Sequence, residues 1–129
     1  MSKLNAIETP ARASAPRIVY LHGFGGHAGV WDRIIQGLGD VYHHTAFDLP
    51  GHGGSLDHPA VGGAGRMSKA VAESLTDLSE QPVHLVGHSM GGAVAALTAH
   101  CVVTRHCVVA VNNLDTNSAA SNHITAIQA

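Results

Sequence analysis

The residues of this chain best suited to chemistry are Gly87-His88-Ser89-Met90-Gly91, set between a β-type run, Val83-His84-Leu85-Val86, and a small-residue run that favours a helix. A serine in the pattern G-x-S-x-G on a strand-to-helix turn is a nucleophile elbow. The serine backbone is strained there, so the flanking Gly87 and Gly91 must lack side chains for the turn to close. The Ser89 hydroxyl would then stand clear of the sheet at the positive end of a helix, and the Met90 N–H would face the same space as an oxyanion donor. The pattern by itself also fits an ordinary glycine-rich turn. The strand before it and the helix after it favour the elbow.

A second glycine-rich loop, His22 to Gly29, follows the apolar run Ile18-Val19-Tyr20-Leu21 and admits two readings. Gly23-Phe24-Gly25-Gly26-His27-Ala28 fits G-x-G-x-x-G/A, and Asp48 stands twenty residues after Ala28, where an acid would meet a ribose hydroxyl in a dinucleotide site. The rival reading is an oxyanion loop whose Phe24 N–H faces the Ser89 hydroxyl. An elbow on a later strand of the same sheet, which a nucleotide site does not require, favours the oxyanion loop. On that reading no cofactor is expected.

The elements that must position these loops alternate. Ile18 to Leu21 reads as a strand covered on both faces. A helix is expected over about Val30 to Leu38, with Val30, Ile34, Ile35 and Leu38 on one face. Tyr42 to Phe47 reads as a strand made polar by His43 and His44, and Asp48-Leu49-Pro50-Gly51-His52-Gly53-Gly54-Ser55 as a turn-rich loop. Met67, Val71, Leu75 and Leu78 predict a helix over about Arg66 to Leu78. The helix after Ser89 runs to about His100, and Cys107 to Val111 supplies a fourth strand. Strands and helices alternating at these lengths mean βαβ crossovers and a parallel sheet. Residues 1–16 read as a flexible lead-in, 17–111 as the core and 112–129 as an irregular tail.

Composition narrows the partners. At 129 residues the chain suits one domain. A net charge of −2 and a pI near 6.6 suggest neither nucleic acid nor an anionic membrane. No apolar run is long enough for a transmembrane helix and the N-terminal segment has no signal-peptide core, so a cytoplasmic protein is expected. Cys101 and Cys107 then read as reduced core residues. His43, His44, His52 and His58 are close in sequence but lack a zinc-site pattern, so no metal is expected.

Together, His22-Gly23-Phe24-Gly25-Gly26, Asp48-Leu49-Pro50-Gly51-His52-Gly53-Gly54-Ser55 and Gly87-His88-Ser89-Met90-Gly91-Gly92 resemble the motifs of α/β-hydrolase fold enzymes, over roughly Arg17 to Ala99. The nearest flavour is the esterase-like branch, with small carboxylesterases, C–C bond hydrolases and acyltransferase components linked to acetoin breakdown. The resemblance implies a three-layer α/β core with a parallel sheet. It implies Ser89 as nucleophile, Phe24 and Met90 as backbone oxyanion donors, and His22 as a loop-shaping residue with Gly23, Gly25, Gly87 and Gly91. It also implies a small ester, thioester or other acyl substrate.

The family places its acid and histidine well downstream of the serine, whereas forty residues follow Ser89. A truncated core of about four strands, with impaired activity and an incomplete triad, is therefore expected. Asp115 and His123 have the right chain order for a substitute acid and base, against the plainer reading of a turn residue and a tail residue. His88 and His52 are alternatives by proximity, although the resemblance implies that the residue before the serine points elsewhere and that the histidine of the PGHG loop is structural. The missing strand would leave an unpaired apolar sheet edge, through which self-association is expected. A non-catalytic binding or assembly module on the same fold, and a dinucleotide-binding domain, are the competing functions.

Overall fold

A computed structural model of the chain describes residues 3–59, 63–76, 83–101, 107–112 and 123–128, with side chains through Ala99. The chain order is β1 (Ala6–Thr9), β2 (Arg17–Leu21), α1 (Asp32–Leu38), β3 (His43–Phe47), α2 (Gly63–Leu75), β4 (Val83–His88), α3 (Met90–Cys101), β5 (Cys107–Asn112) and β6 (His123–Gln128). A 3-10 turn, Ala28–Trp31, leads into α1. All strands join one six-stranded sheet in the order β1-β3-β2-β4-β5-β6. The expected parallel strands are β3, β2, β4 and β5. Antiparallel strands flank them, β1 on β3 and β6 on β5.

The period-two geometry of a strand sorts the core into two faces. Val19, Leu21, Val83 and Leu85 point to one side and pack with Met67, Val71 and Leu75 of α2 and Val94, Ala95 and Ala99 of α3. Ile18 and Tyr20 point to the other, against Trp31 and Ile35. Helices thus cover both faces of the sheet, the three-layer arrangement expected. Trp31 and Tyr20 are fully buried with ring centroids 5.1 Å apart, a contact worth about 1 kcal/mol beyond area burial.

The polar strand β3 has its own logic. His44 is completely buried, yet its ring is satisfied by the Tyr20 hydroxyl at 2.8 Å and the Gly39 carbonyl at 2.8 Å. It is a core histidine. Burial first, and Tyr42 second, raise the Tyr20 hydroxyl well above its ordinary value, so it remains a donor.

Both ends of the chain differ from expectation. The N-terminal segment is tied down. β1 pairs with β3, and Thr45 and Arg17 both donate to Glu8, at 2.9 and 3.2 Å. Further along, Arg12 pairs with Asp40 through backbone and side chain. Within the tail expected to be irregular, His123–Gln128 forms β6 and pairs with β5 along its length. The β5 edge expected to be open is therefore occupied. Both are short edge strands, where alternation over four to six residues is a weak sequence signal. Helix α2 begins at Gly63, before the expected Arg66, and Leu78 lies outside the described residues. No helix among the described residues is long and apolar enough to cross a membrane.

Candidate active site

The turn joining β4 to α3 carries Ser89 at φ +53°, and no other non-glycine residue described has positive φ. Such a backbone costs a serine about 1–2 kcal/mol, and close backbone contacts hold it there. A Cβ on Gly87 would overlap the backbone of Gly91 and Gly92, and one on Gly91 would overlap the backbone of Leu21 and His22 in and after β2. At Gly87 and Gly91, strand, turn and helix touch main chain to main chain. Ser89 is exposed at the start of the twelve-residue α3, whose positive end faces it.

The loop after β2 closes onto this turn. The Cβ position of Gly23 lies 3.5 Å from Ser89 Cβ and 3.2 Å from His88 Nδ1, so a side chain at Gly23 would crowd the elbow. The Gly26 N–H donates to the Gly23 carbonyl at 3.0 Å, which makes residues 23–26 a β-turn. Its third residue, Gly25, has φ +77°, a conformation suited to glycine. The Phe24 side chain stands 86% exposed beside it.

Two histidines bind this turn to the loop after β3. His22, fully buried, accepts the Leu49 N–H at Nε2 (2.9 Å), so its Nδ1 carries the proton and donates to the Gly23 carbonyl at 2.7 Å. Burial pushes His22 below its ordinary value, the Gly23 bond opposes that, and the neighbouring His52 adds to it. His52 accepts the Gly25 N–H at Nε2 (3.0 Å) and donates from Nδ1 to the Pro50 carbonyl at 3.0 Å. The two rings lie 4.9 Å apart. Both imidazoles have both nitrogens engaged, so His52 is not available as the base that its proximity suggested.

Asp48 is the anchor beneath both loops. Its carboxylate accepts the Ala28 N–H at 2.7 Å, the Gly54 N–H at 2.8 Å and the Asn5 side-chain amide at 2.8 Å. Burial would raise the carboxyl, but those donors outweigh it and hold it below its ordinary value. Gly53, at φ +49°, packs so closely on the carboxylate that no Cβ fits. The ribose role open to Asp48 on the dinucleotide reading is therefore closed, because the group is 5% exposed and committed to the protein's own donors.

With a strained serine between β4 and α3 and a glycine turn packed on it, family membership can be judged on site and chain together. The family model for the alpha/beta hydrolase fold matches residues 16–121. This chain belongs to the α/β-hydrolase fold family. It is 40% identical over 85 residues to the dihydrolipoyllysine-residue acetyltransferase component of the acetoin cleaving system of Cupriavidus necator, covering 66% of this chain and 23% of that protein. It is 37% identical over 99 residues to the 2-succinyl-6-hydroxy-2,4-cyclohexadiene-1-carboxylate synthase of Salmonella agona, covering 74% of this chain and 37% of that one. Among solved structures, the type II thioesterase of the borrelidin biosynthetic cluster superposes with a TM-score of 0.67 at 25% identity, over 74% of this chain and 40% of its own. The chain thus spans well under half the length of these relatives.

Of the residues expected at the hydrolase site, Ser89, Met90, Phe24, His22, Gly23, Gly25, Gly87 and Gly91 meet at the carboxyl ends of β2 and β4. Asp115 lies outside the described residues. His123 opens β6 opposite Asn112, next to the Val111–His88 pair of β5 and β4. That register puts its backbone at the same end of the sheet as Ser89, about 10 Å from β4 at two strand spacings. Asp48 and Asn5 are site-building residues that sequence reasoning did not assign, and His52 stands in the structural part that the resemblance implies for its position. For His52 and Asp48 the signal was present in the Asp48-to-Ser55 motif, whereas nothing in the sequence singled out Asn5.

Proposed function

We propose that this chain carries the nucleophile of a serine hydrolase acting on a carboxylic ester, thioester or related acyl substrate. The observation that carries the reading is Ser89 at φ +53° with the Gly23 turn packed against it. A strained, exposed serine at a helix start is what attack on a carbonyl requires. The Ser89 Oγ adds to the carbonyl carbon as a base removes its proton. The resulting oxyanion is stabilised by the N–H groups of Met90 and Phe24. Collapse expels the alcohol or thiol, which takes up the proton, and water then releases the acyl group from Ser89.

The Phe24 donor is supported by peptide planarity. The Phe24 N–H shares a plane with the Gly23 carbonyl, and that oxygen is held by both the His22 Nδ1–H and the Gly26 N–H. In a trans peptide the N–H points the opposite way from the carbonyl, so fixing one fixes the other. His22 acts here as a positioning residue. For the base we propose His123, with Asp115 as its acid, and His88 as the local alternative. A hydrolase-like binding module is the second reading, favoured because His22 and His52 are both fully engaged and unable to serve as base.

The test is labelling of the purified protein with a fluorophosphonate, read by mass spectrometry. The expected result is an adduct on Ser89 that disappears in Ser89→Ala and falls by several orders of magnitude in His123→Ala. A fall in His88→Ala instead moves the base to the elbow itself. A folded protein that forms no adduct supports the binding module, since loss of the base histidine costs about a million-fold in turnover.

A further inference from the structure

The peptide planes on the two sides of Phe24 are held by different histidines. The plane before it, Gly23–Phe24, is fixed through the carbonyl that His22 grips. The plane after it, Phe24–Gly25, carries the Gly25 N–H that donates to His52 Nε2 at 3.0 Å. His52 is itself fixed by its Nδ1–H on the Pro50 carbonyl and by the Phe24 ring, edge-on at a centroid distance of 5.8 Å. Gly25 sits at φ +77° with nothing within 4 Å of its Cβ position, so no packing on that side substitutes for the hydrogen bond.

From this we propose that His52 is a positioning residue for the oxyanion turn: in its neutral form it sets the Phe24–Gly25 plane, and protonation releases that plane. The inference rests on reading Phe24 as an oxyanion donor. A protonated Nε2 is a donor and faces another donor, the Gly25 N–H, so the bond is lost. The titratable groups around His52 are the His22 ring at 4.9 Å and, acting on His22, Asp48 and His27. Loss of that bond loosens the turn from the His52 side, where the grip of His22 on the Gly23 carbonyl acts on the other plane.

Nuclear magnetic resonance on nitrogen-15-labelled protein tests this without requiring turnover. A scalar coupling across the hydrogen bond between the Gly25 nitrogen and His52 Nε2 is expected, and it disappears on acidification. The residual dipolar coupling of the Phe24 N–H is expected to change in His52→Phe. It should return toward wild type in His52→Gln, whose Oε1 can accept at the Nε2 position and does not titrate. Absence of the coupling in a well-dispersed spectrum, or an unchanged Phe24 vector in His52→Phe, overturns the proposal. Should His52→Phe not fold, the wild-type pH series and His52→Gln still decide it. Fluorophosphonate labelling separates the two readings. Where wild type labels, His52→Phe is expected to slow Ser89 labelling by about a hundredfold, and His52→Gln to flatten the acid-side fall. Where wild type does not label but the couplings behave as expected, the hydrolase reading fails and the positioning role stands.

Discussion

The two halves of the candidate site are held by different physics. The elbow around Ser89 is fixed by backbone against backbone, with Gly87 on Gly91 and Gly91 on the end of β2. The facing loops, His22 to Ala28 and Asp48 to Ser55, are fixed by hydrogen bonds through His22, His52 and Asp48. Steric closure is independent of pH and fails abruptly. A polar seam yields by steps and answers to protonation. The geometry of the Ser89 turn is thus built to be insensitive to conditions, whereas the geometry of the turn that faces it is tunable.

The largest expected effect breaks the steric half. In Gly91→Ala the new Cβ overlaps main chain of β2, which has no flexible end to give way. A loss of about 4 kcal/mol or more is expected, read as a collapse of the urea midpoint. Gly87→Ala should behave alike. Gly37→Ala, at a helical position with nothing within 4 Å, is the control and should hold or raise stability. Equal tolerance at Gly91 and Gly37 would refute backbone contact as the elbow's support.

Next in size is the polar anchor. Asp48→Asn keeps the shape but turns an amide NH₂ either toward the Ala28 N–H at Oδ1 or toward the Gly54 N–H and the Asn5 amide together at Oδ2. About 3 kcal/mol is expected from weakened charge-assisted bonds. Because the folded carboxyl is held below its ordinary value, its contribution is complete above the ordinary carboxylate range and is lost as pH falls through the lower folded value. Denaturation midpoints across acidic pH should therefore fall in wild type and flatten in Asp48→Asn.

The elbow was the most legible part of the site in the sequence, because strand, G-x-S-x-G and small-residue helix are contiguous from Val83 to Leu97 and mutually consistent. The Asp48 loop was recognisable as a motif, yet its role was not. Which donors reach a carboxylate depends on partners 43 and 20 residues away, Asn5 and Ala28, and periodicity carries no such information. The same distance dependence gave Asp48 a second plausible reading as a ribose acid. Strands β1 and β6 escaped notice because a four- or six-residue edge strand is decided by the neighbour it pairs with. The buried run Ile18 to Leu21 carries its burial in its own composition.

A smaller effect sharpens the comparison through His22. Its folded form is kept neutral below the ordinary histidine value of 6.5. The unfolded chain takes up a proton there first, so stability conferred by neutral His22 is present above that pH and declines below it, down to the folded value. Urea midpoints at about pH 7.5 and about pH 5.5 should separate more in wild type than in His22→Gln. Equal separations would mean that the seam does not sense protonation at this residue.

The smallest effect probes where strain is stored. Ser89 and Gly25 both sit at positive φ, at +53° and +77°, but one bears a side chain and the other does not. Ser89→Gly removes a left-handed penalty of about 1–2 kcal/mol and restores some chain entropy to the unfolded state, for a net gain of about 0.5–1 kcal/mol. Gly25→Ala adds the same penalty in open space and should lose about 1–2 kcal/mol. The paired signs matter more than the sizes. A stabilised Ser89→Gly means the surrounding backbone contacts hold the serine against its preference, as a preorganised nucleophile requires. If Ser89→Gly is no more stable than wild type, the turn relaxes around its serine. The rigidity ascribed to the elbow would then have to reside in the hydrogen-bonded loops instead.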